Sequence, residues 1–99
     1  MKEFWLNITT PDGPRFDGMV VRLSARAVDG DIGILADHIP LVTALKPGEC
    51  RVQLPDGTTR TADISGGLLT VTKKKVHLLS ASCAWRDEVG KEAALEEEE

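Results

Sequence analysis

His38, His77, Cys50 and Cys83 are the side chains of this sequence that could ligate a metal or attack an electrophile, and Asp29, Asp31 and Asp37 lie near the first of them. A tetrahedral zinc site favours paired ligands at short spacing, C-x-x-C or H-E-x-x-H. Neither occurs, so four ligands would have to converge from four separate places. Asp37 and His38 are adjacent, as an acid and a base could be, yet no serine stands in a G-x-S-x-G frame. Ser65-Gly66-Gly67 leads into a strand-like alternation, whereas a nucleophile elbow leads into a helix. Nor does Gly-Lys-Ser/Thr follow those glycines, so a phosphate loop is not expected. Their plain reading is a tight corner that needs positive φ. His38, in a turn bounded by Pro40, reads as a surface hydrogen-bonding residue. No catalytic residue, metal or cofactor is expected.

The elements that would hold such residues fit one small domain. The chain has 99 residues, 41% hydrophobic and 28% charged, which suits a single core with a radius of gyration of about 13 Å. A body of that size offers contact faces more readily than a deep, multi-walled cleft. Twelve Lys and Arg stand against sixteen Asp and Glu, and the run Glu96–Glu99 supplies the whole excess of acid. A neutral body with an acidic tail lacks the basic stripe of a nucleic-acid binder, and Lys73-Lys74-Lys75 has no aromatic neighbours on which bases could stack. No stretch approaches the roughly 20 apolar residues of a membrane span, and Met1-Lys2-Glu3-Phe4 is not a secretory start. A cytosolic chain is expected, with Cys50 and Cys83 as small buried hydrophobes rather than a disulfide.

Strand patterning dominates. Phe4, Leu6 and Ile8 alternate with Glu3, Trp5, Asn7 and Thr9, the period of a half-buried strand. After Pro11-Asp12-Gly13-Pro14, Met19, Val21, Leu23 and Ala25 alternate with Val20, Arg22, Ser24 and Arg26. Brief strands follow at Ile32–Leu35 and Leu41–Leu45, then turns at Lys46-Pro47-Gly48 and Pro55-Asp56-Gly57, and a last hairpin flanks the three lysines. Short strands punctuated by Pro, Gly and Asp predict an all-β, two-sheet antiparallel sandwich spanning residues 1–84. Beyond it, Trp85, Val89 and Ala93 fall at helical spacing, so residues 85–99 read as a short helical or frayed acidic tail.

Two contact features remain. Trp5 lies on the polar side of the first strand, where it is either core under a second cover or an exposed interface residue. Asp29-Gly30-Asp31 is an acidic loop, explained by ordinary turn chemistry unless a partner is named.

A partner comes into view from motifs taken in order. Phe16-Asp17-Gly18, Asp29-Gly30-Asp31-Ile32-Gly33-Ile34-Leu35, His38-Ile39-Pro40-Leu41-Val42-Thr43-Ala44-Leu45-Lys46-Pro47-Gly48 and Ser65-Gly66-Gly67-Leu68-Leu69-Thr70-Val71 resemble the N-terminal domain of the epsilon subunit of F-type ATP synthases. The resemblance covers most of residues 3–84 in order and spacing. It implies a sandwich of about ten strands and a non-catalytic place in the central rotor stalk, beside the gamma subunit and on the membrane ring of c subunits. A close-packed sandwich suits a stiff coupling part.

By the same resemblance Asp29, Gly30, Asp31 and His38 face the polar loops of the c ring, which commonly carry an arginine. Rim pairs of that kind contribute about 0–1 kcal/mol each and mainly fix register. Thr10 and Thr43 are expected toward gamma. The family usually has Pro-Gly before the histidine, where this chain has Ala36-Asp37. It also normally continues into two C-terminal helices that can inhibit ATP hydrolysis and, in some bacteria, bind ATP. This sequence reads only to Glu99, so neither activity is expected of it. The resemblance implies a peripheral protein on the cytoplasmic face of the bacterial inner membrane, reaching the bilayer only through its complex. The alternative is a stand-alone sandwich that binds a small ligand or a peptide at an open sheet edge, with a small enzyme as a third reading.

Overall fold

The computed structural model describes residues 2–86, all of its strands lying between Phe4 and Trp85. They are β1 (Phe4–Thr10), β2 (Gly13–Val20), β3 (Arg22–Ala27), β4 (Gly30–Ile34), β5 (Leu41–Gln53), β6 (Thr59–Val71), β7 (Lys75–Leu79) and β8 (Cys83–Trp85). Hydrogen bonding runs in the order β2-β1-β7-β6-β5-β3-β4, with β8 added to β6. β1 buries every second residue, Phe4, Leu6, Ile8 and Thr10, as its sequence period requires.

There are eight strands among the described residues rather than about ten, and the reason lies in the two long ones. Lys46-Pro47-Gly48 and Ser65-Gly66-Gly67 do not end strands. The β5–β6 ladder continues through them in one register, from Leu41↔Val71 through Pro47↔Ser65 to Gln53↔Thr59. Each strand changes layers on the way: Leu45, then Cys50 and Val52, face the core on β5, so the inward positions switch from odd to even. One layer thus holds β2, β1, β7 and the adjoining halves of β6 and β5, and the other holds β4, β3, β8 and the remaining halves. Leu6, Ile8, Leu23, Val52, Leu69 and Leu78 meet between them in one buried cluster.

Three further expectations are corrected. The sandwich is not wholly antiparallel, because β1 and β7 run parallel, Trp5↔Lys75 to Thr9↔Leu79. A parallel neighbour needs a long crossover, supplied here by the passage through the other layer. The alternation from Met19 to Ala25 is not one strand. The chain leaves β2 at Val20 and enters β3 at Arg22, so Val20 and Val21 are both buried while Met19 is exposed. Trp85, assigned from spacing to a helix, pairs with Ala62 in β8 and is buried. The rest of the expected helical tail, residues 87–99, lies outside the described residues.

Candidate functional site

The acidic loop forms as read. Asp29 sits in the turn between β3 and β4, Gly30 opens β4 at φ 127°, and Asp31 pairs across the ladder with Arg26. All three residues are exposed. His38 is not with them. β4 carries the chain from Gly30 to Ile34, about 13 Å at ~3.3 Å per residue, and His38 follows at its far end. The structure therefore places the histidine and the acid turn at opposite ends of one strand, not on one tip. The half-buried imidazole donates from Nδ1 to the Ile39 carbonyl at 2.7 Å, and the His38 amide donates to the Leu35 carbonyl. Asp37 occupies the glycine-like position before it at φ 67°, a left-handed conformation that aspartate tolerates better than most side chains. Lys2 Nζ donates to its carboxylate at 2.6 Å and is itself held more basic than usual by that hydrogen bond and the charge.

The two threonines do not form an exposed pair. Thr10 is 7% exposed, and its hydroxyl donates to the Gly13 carbonyl at 3.2 Å. Thr43 stands opposite buried Leu69 and is half-buried. What reaches solvent is the outer face of the layer that holds both threonines. Val42, Leu68 and Leu79 are 65%, 41% and 49% exposed. Leu68 is the ladder partner of both Ala44 and Leu79, so these apolar residues form one row across β5, β6 and β7. The row opens into a groove of about 520 Å³ whose lining includes Thr9, Thr10 and Pro11. Sequence reasoning missed this surface although a signal was there. Leu68-Leu69 and Leu78-Leu79 are adjacent leucines in strands, and successive strand residues face opposite ways. One leucine of each pair must point outward.

Trp5 is the half-covered residue its position allowed. It lies on this outer face beside Met19 and Lys75, and its indole Nε1 donates to Asp17 Oδ1 at 2.5 Å. Cys50 and Cys83 are buried thiols on β5 and β8, with β6 between them. Two ladder spacings separate their strands, about 9.6 Å against the ~7 Å limit for bridging, so no disulfide can close. Among the described residues no cluster of three or more His, Cys, Asp or Glu could hold a metal.

Burial, and then the nearby Cys83, push the Cys50 thiol up to about 12. The fold binds that proton more tightly than the unfolded chain does. Its stabilisation is therefore complete below the ordinary thiol value near ~8.5 and is lost as pH climbs toward 12. Within that window we expect stability to fall by about 1.4 kcal/mol per pH unit more steeply than in Cys50→Ala. Urea midpoints between pH 8 and 11 check this, and parallel slopes for the two proteins would refute it.

Residues 3–86 match the family described as ATP synthase, Delta/Epsilon chain, beta-sandwich domain. The chain is 43% identical over 95 residues to the ATP synthase epsilon chain of Bacillus velezensis, covering 96% of this chain and 71% of that one. It is 40% identical over 94 residues to the epsilon chain of Bacillus subtilis, covering 95% and 70%. Among solved structures it is similar to a chain of the Euglena gracilis mitochondrial ATP synthase, OSCP/F1/c-ring in rotational state 1. The TM-score there is 0.80 at 26% identity, and the match spans 96% of this chain and 62% of that chain. Its fold also matches a chain in the Tetrahymena thermophila ATP synthase central stalk/c-ring structure, with a TM-score of 0.71 at 18% identity over 89% of this chain and 70% of that one. The chain belongs to the delta/epsilon family of ATP synthase subunits.

Proposed function

We propose that this chain is a non-catalytic, rigid subunit of the rotating central stalk of an F-type ATP synthase. It joins the gamma subunit to the c ring and so couples ion translocation to ATP synthesis or hydrolysis. The observation that carries the reading is the apolar row of Val42, Leu68 and Leu79, which leaves one sheet face uncovered on a protein whose core is already closed. That face suits the gamma shaft. Thr10 shapes the groove floor beneath it and Thr43 backs it from inside, so both act through this surface rather than by direct contact. A stable contact of this class buries about 800 Å² on each partner.

The turn Asp29-Gly30-Asp31 supplies the end that seats on the c ring, where its carboxylates meet basic loops and set register. His38, at the other end of β4, takes no part in that footprint. Among the described residues no helix is long and apolar enough to cross a membrane. As a stalk subunit the protein would sit peripherally at the cytoplasmic face of the bacterial inner membrane, held there by its complex. Mixed with purified gamma, the chain is expected to co-elute in size-exclusion chromatography and to restore coupling to epsilon-depleted enzyme. Leu68→Asp should weaken gamma binding by about a hundredfold without unfolding the sandwich. Failure of the unaltered chain to co-elute, or pumping left uncoupled after its addition, would end this reading.

A further inference from the structure

The outer surface of β3, β4 and β5 carries a second groove, of about 450 Å³, which shares only Asp31 with the turn proposed to seat on the c ring. Arg22, Arg26 and Arg51 line it together with Asp31 and Glu49. Strand register explains the gathering. Arg22, Ser24 and Arg26 alternate on β3 and so share its outer face, while Arg51 on β5 and Gly33 on β4 both stand opposite Ser24. A small residue on each of two strands therefore floors the centre, and guanidinium groups border it.

Glycine makes room for two of the arginines. A Cβ added at Gly33 would lie 3.5 Å from Arg22 Nη2, and one at Gly48 would lie 2.9 Å from Arg26 Cδ. Both side chains thus rest close against glycine backbone. The side chains of Arg22 and Arg26 make no hydrogen bond or ion pair with any described residue. Arg51 reaches Glu49 at 3.4 Å, but that carboxylate oxygen is also held by Arg86 at 3.1 Å. Three guanidinium groups consequently face two carboxylates, one of them already engaged from outside the groove.

We propose that this groove binds a polyphosphate-type oxyanion, a ligand with two or more linked phosphate units. The planar guanidinium fork matches phosphate oxygens in paired hydrogen bonds, which an ammonium cannot do. Arg22 and Arg26 lie four strand residues apart, about 13 Å between backbones, so a chain of phosphates can engage both where a single phosphate engages one. Asp31 and Glu49 on the rim oppose any anion and reduce the net attraction of the three arginines, so affinity rests on paired guanidinium contacts with the ligand's oxygens. The lining holds no aromatic residue, so recognition is of the phosphate chain and not of an attached ring. The groove and the apolar row share no residue and lie on different layers, so phosphate binding by the isolated chain and binding to gamma are read out separately.

Calorimetric titration of the full chain with sodium tripolyphosphate, at constant ionic strength and without divalent metal, tests the assignment. Saturable one-to-one binding is expected, with amide shifts in NMR centred on Ser24, Gly33 and Arg51. Arg22→Gln and Arg26→Gln should each weaken it about tenfold, and Arg22→Lys, which keeps the charge and the fold but loses the fork, about threefold. Asp31→Asn should tighten it about threefold, and orthophosphate should bind at least about tenfold more weakly. Absence of saturable binding would overturn the proposal. So would an equal loss on Lys73→Gln, or shifts confined to Lys73–Lys75, since either outcome means diffuse attraction to basic side chains.

Discussion

Gly67→Ala is expected to prevent folding, or to lower the unfolding free energy by more than about 3 kcal/mol. Gly67 lies in β6 at φ 147°, where a side chain is strained in any surroundings. The surroundings here are also closed. A Cβ would stand 1.8 Å from the Leu79 carbonyl oxygen and 3.1 Å from Ser80 Cα. Those atoms are backbone and cannot rotate aside, and the Leu68↔Leu79 pairing next to them joins β6 to β7. Relief would require separating two strands in the middle of a layer. Gly57→Ala is the informative comparison, because Gly57 has φ 91° in the β5–β6 hairpin with nothing within 4 Å of an added Cβ. It should cost about 1 kcal/mol, the backbone term alone. Urea midpoints followed by far-UV circular dichroism separate the two. Equal losses would mean that the close approach at Gly67 carries no weight.

Trp85→Ala should cost about 3–5 kcal/mol, the usual penalty for deleting a large buried aromatic side chain. Trp85 is the bulkiest of the fully enclosed side chains and has partners on three sides. Its ring lies 5.9 Å from that of Phe16, the Arg60 guanidinium carbon sits 4.2 Å above it, and its indole nitrogen donates to the Arg15 carbonyl at 3.1 Å. β8 is three residues long and, among the described residues, pairs with β6 alone, so this side chain, more than the ladder, attaches the strand. Arg86 follows immediately and grips Asp63 through two hydrogen bonds, at 3.1 and 2.9 Å. That contact, chiefly by hydrogen bonding, holds the Asp63 carboxyl below the usual range. Trp85→Phe keeps most of the burial but strands the Arg15 carbonyl, and should cost about 1–2 kcal/mol. A loss below about 1 kcal/mol for Trp85→Ala would show that β8 is not part of the cooperative unit.

Both residues illustrate where a one-dimensional reading stops. Ser65-Gly66-Gly67 was recognisable as a place needing glycine, and both glycines do adopt positive φ. That the strand would continue through it was not, because continuation depends on Pro47 lying opposite Ser65 on another strand. Trp85 has helical spacing to Val89 and Ala93, and a three-residue strand is too short to show a period of its own. Its burial comes from Phe16 and Arg60, distant in sequence. The acid turn was readable as a turn from Asp29-Gly30, but its separation from His38 was not, since the length and direction of β4 set that distance.

The order of residues determined, without help, the strand character of the chain, its turns at Asp29-Gly30 and Pro55-Asp56-Gly57, the neutral body, and the family, because period, glycine chemistry, charge count and motif order are local or additive properties. Tertiary structure decided the rest: the layer exchange of β5 and β6, the parallel β1–β7 pair, the outward row of Val42, Leu68 and Leu79, and the arginines gathered around Ser24. Each of these is a relation between strands far apart in the chain. A side chain's period says that it alternates, and only the neighbouring strand decides which of its two faces meets the core.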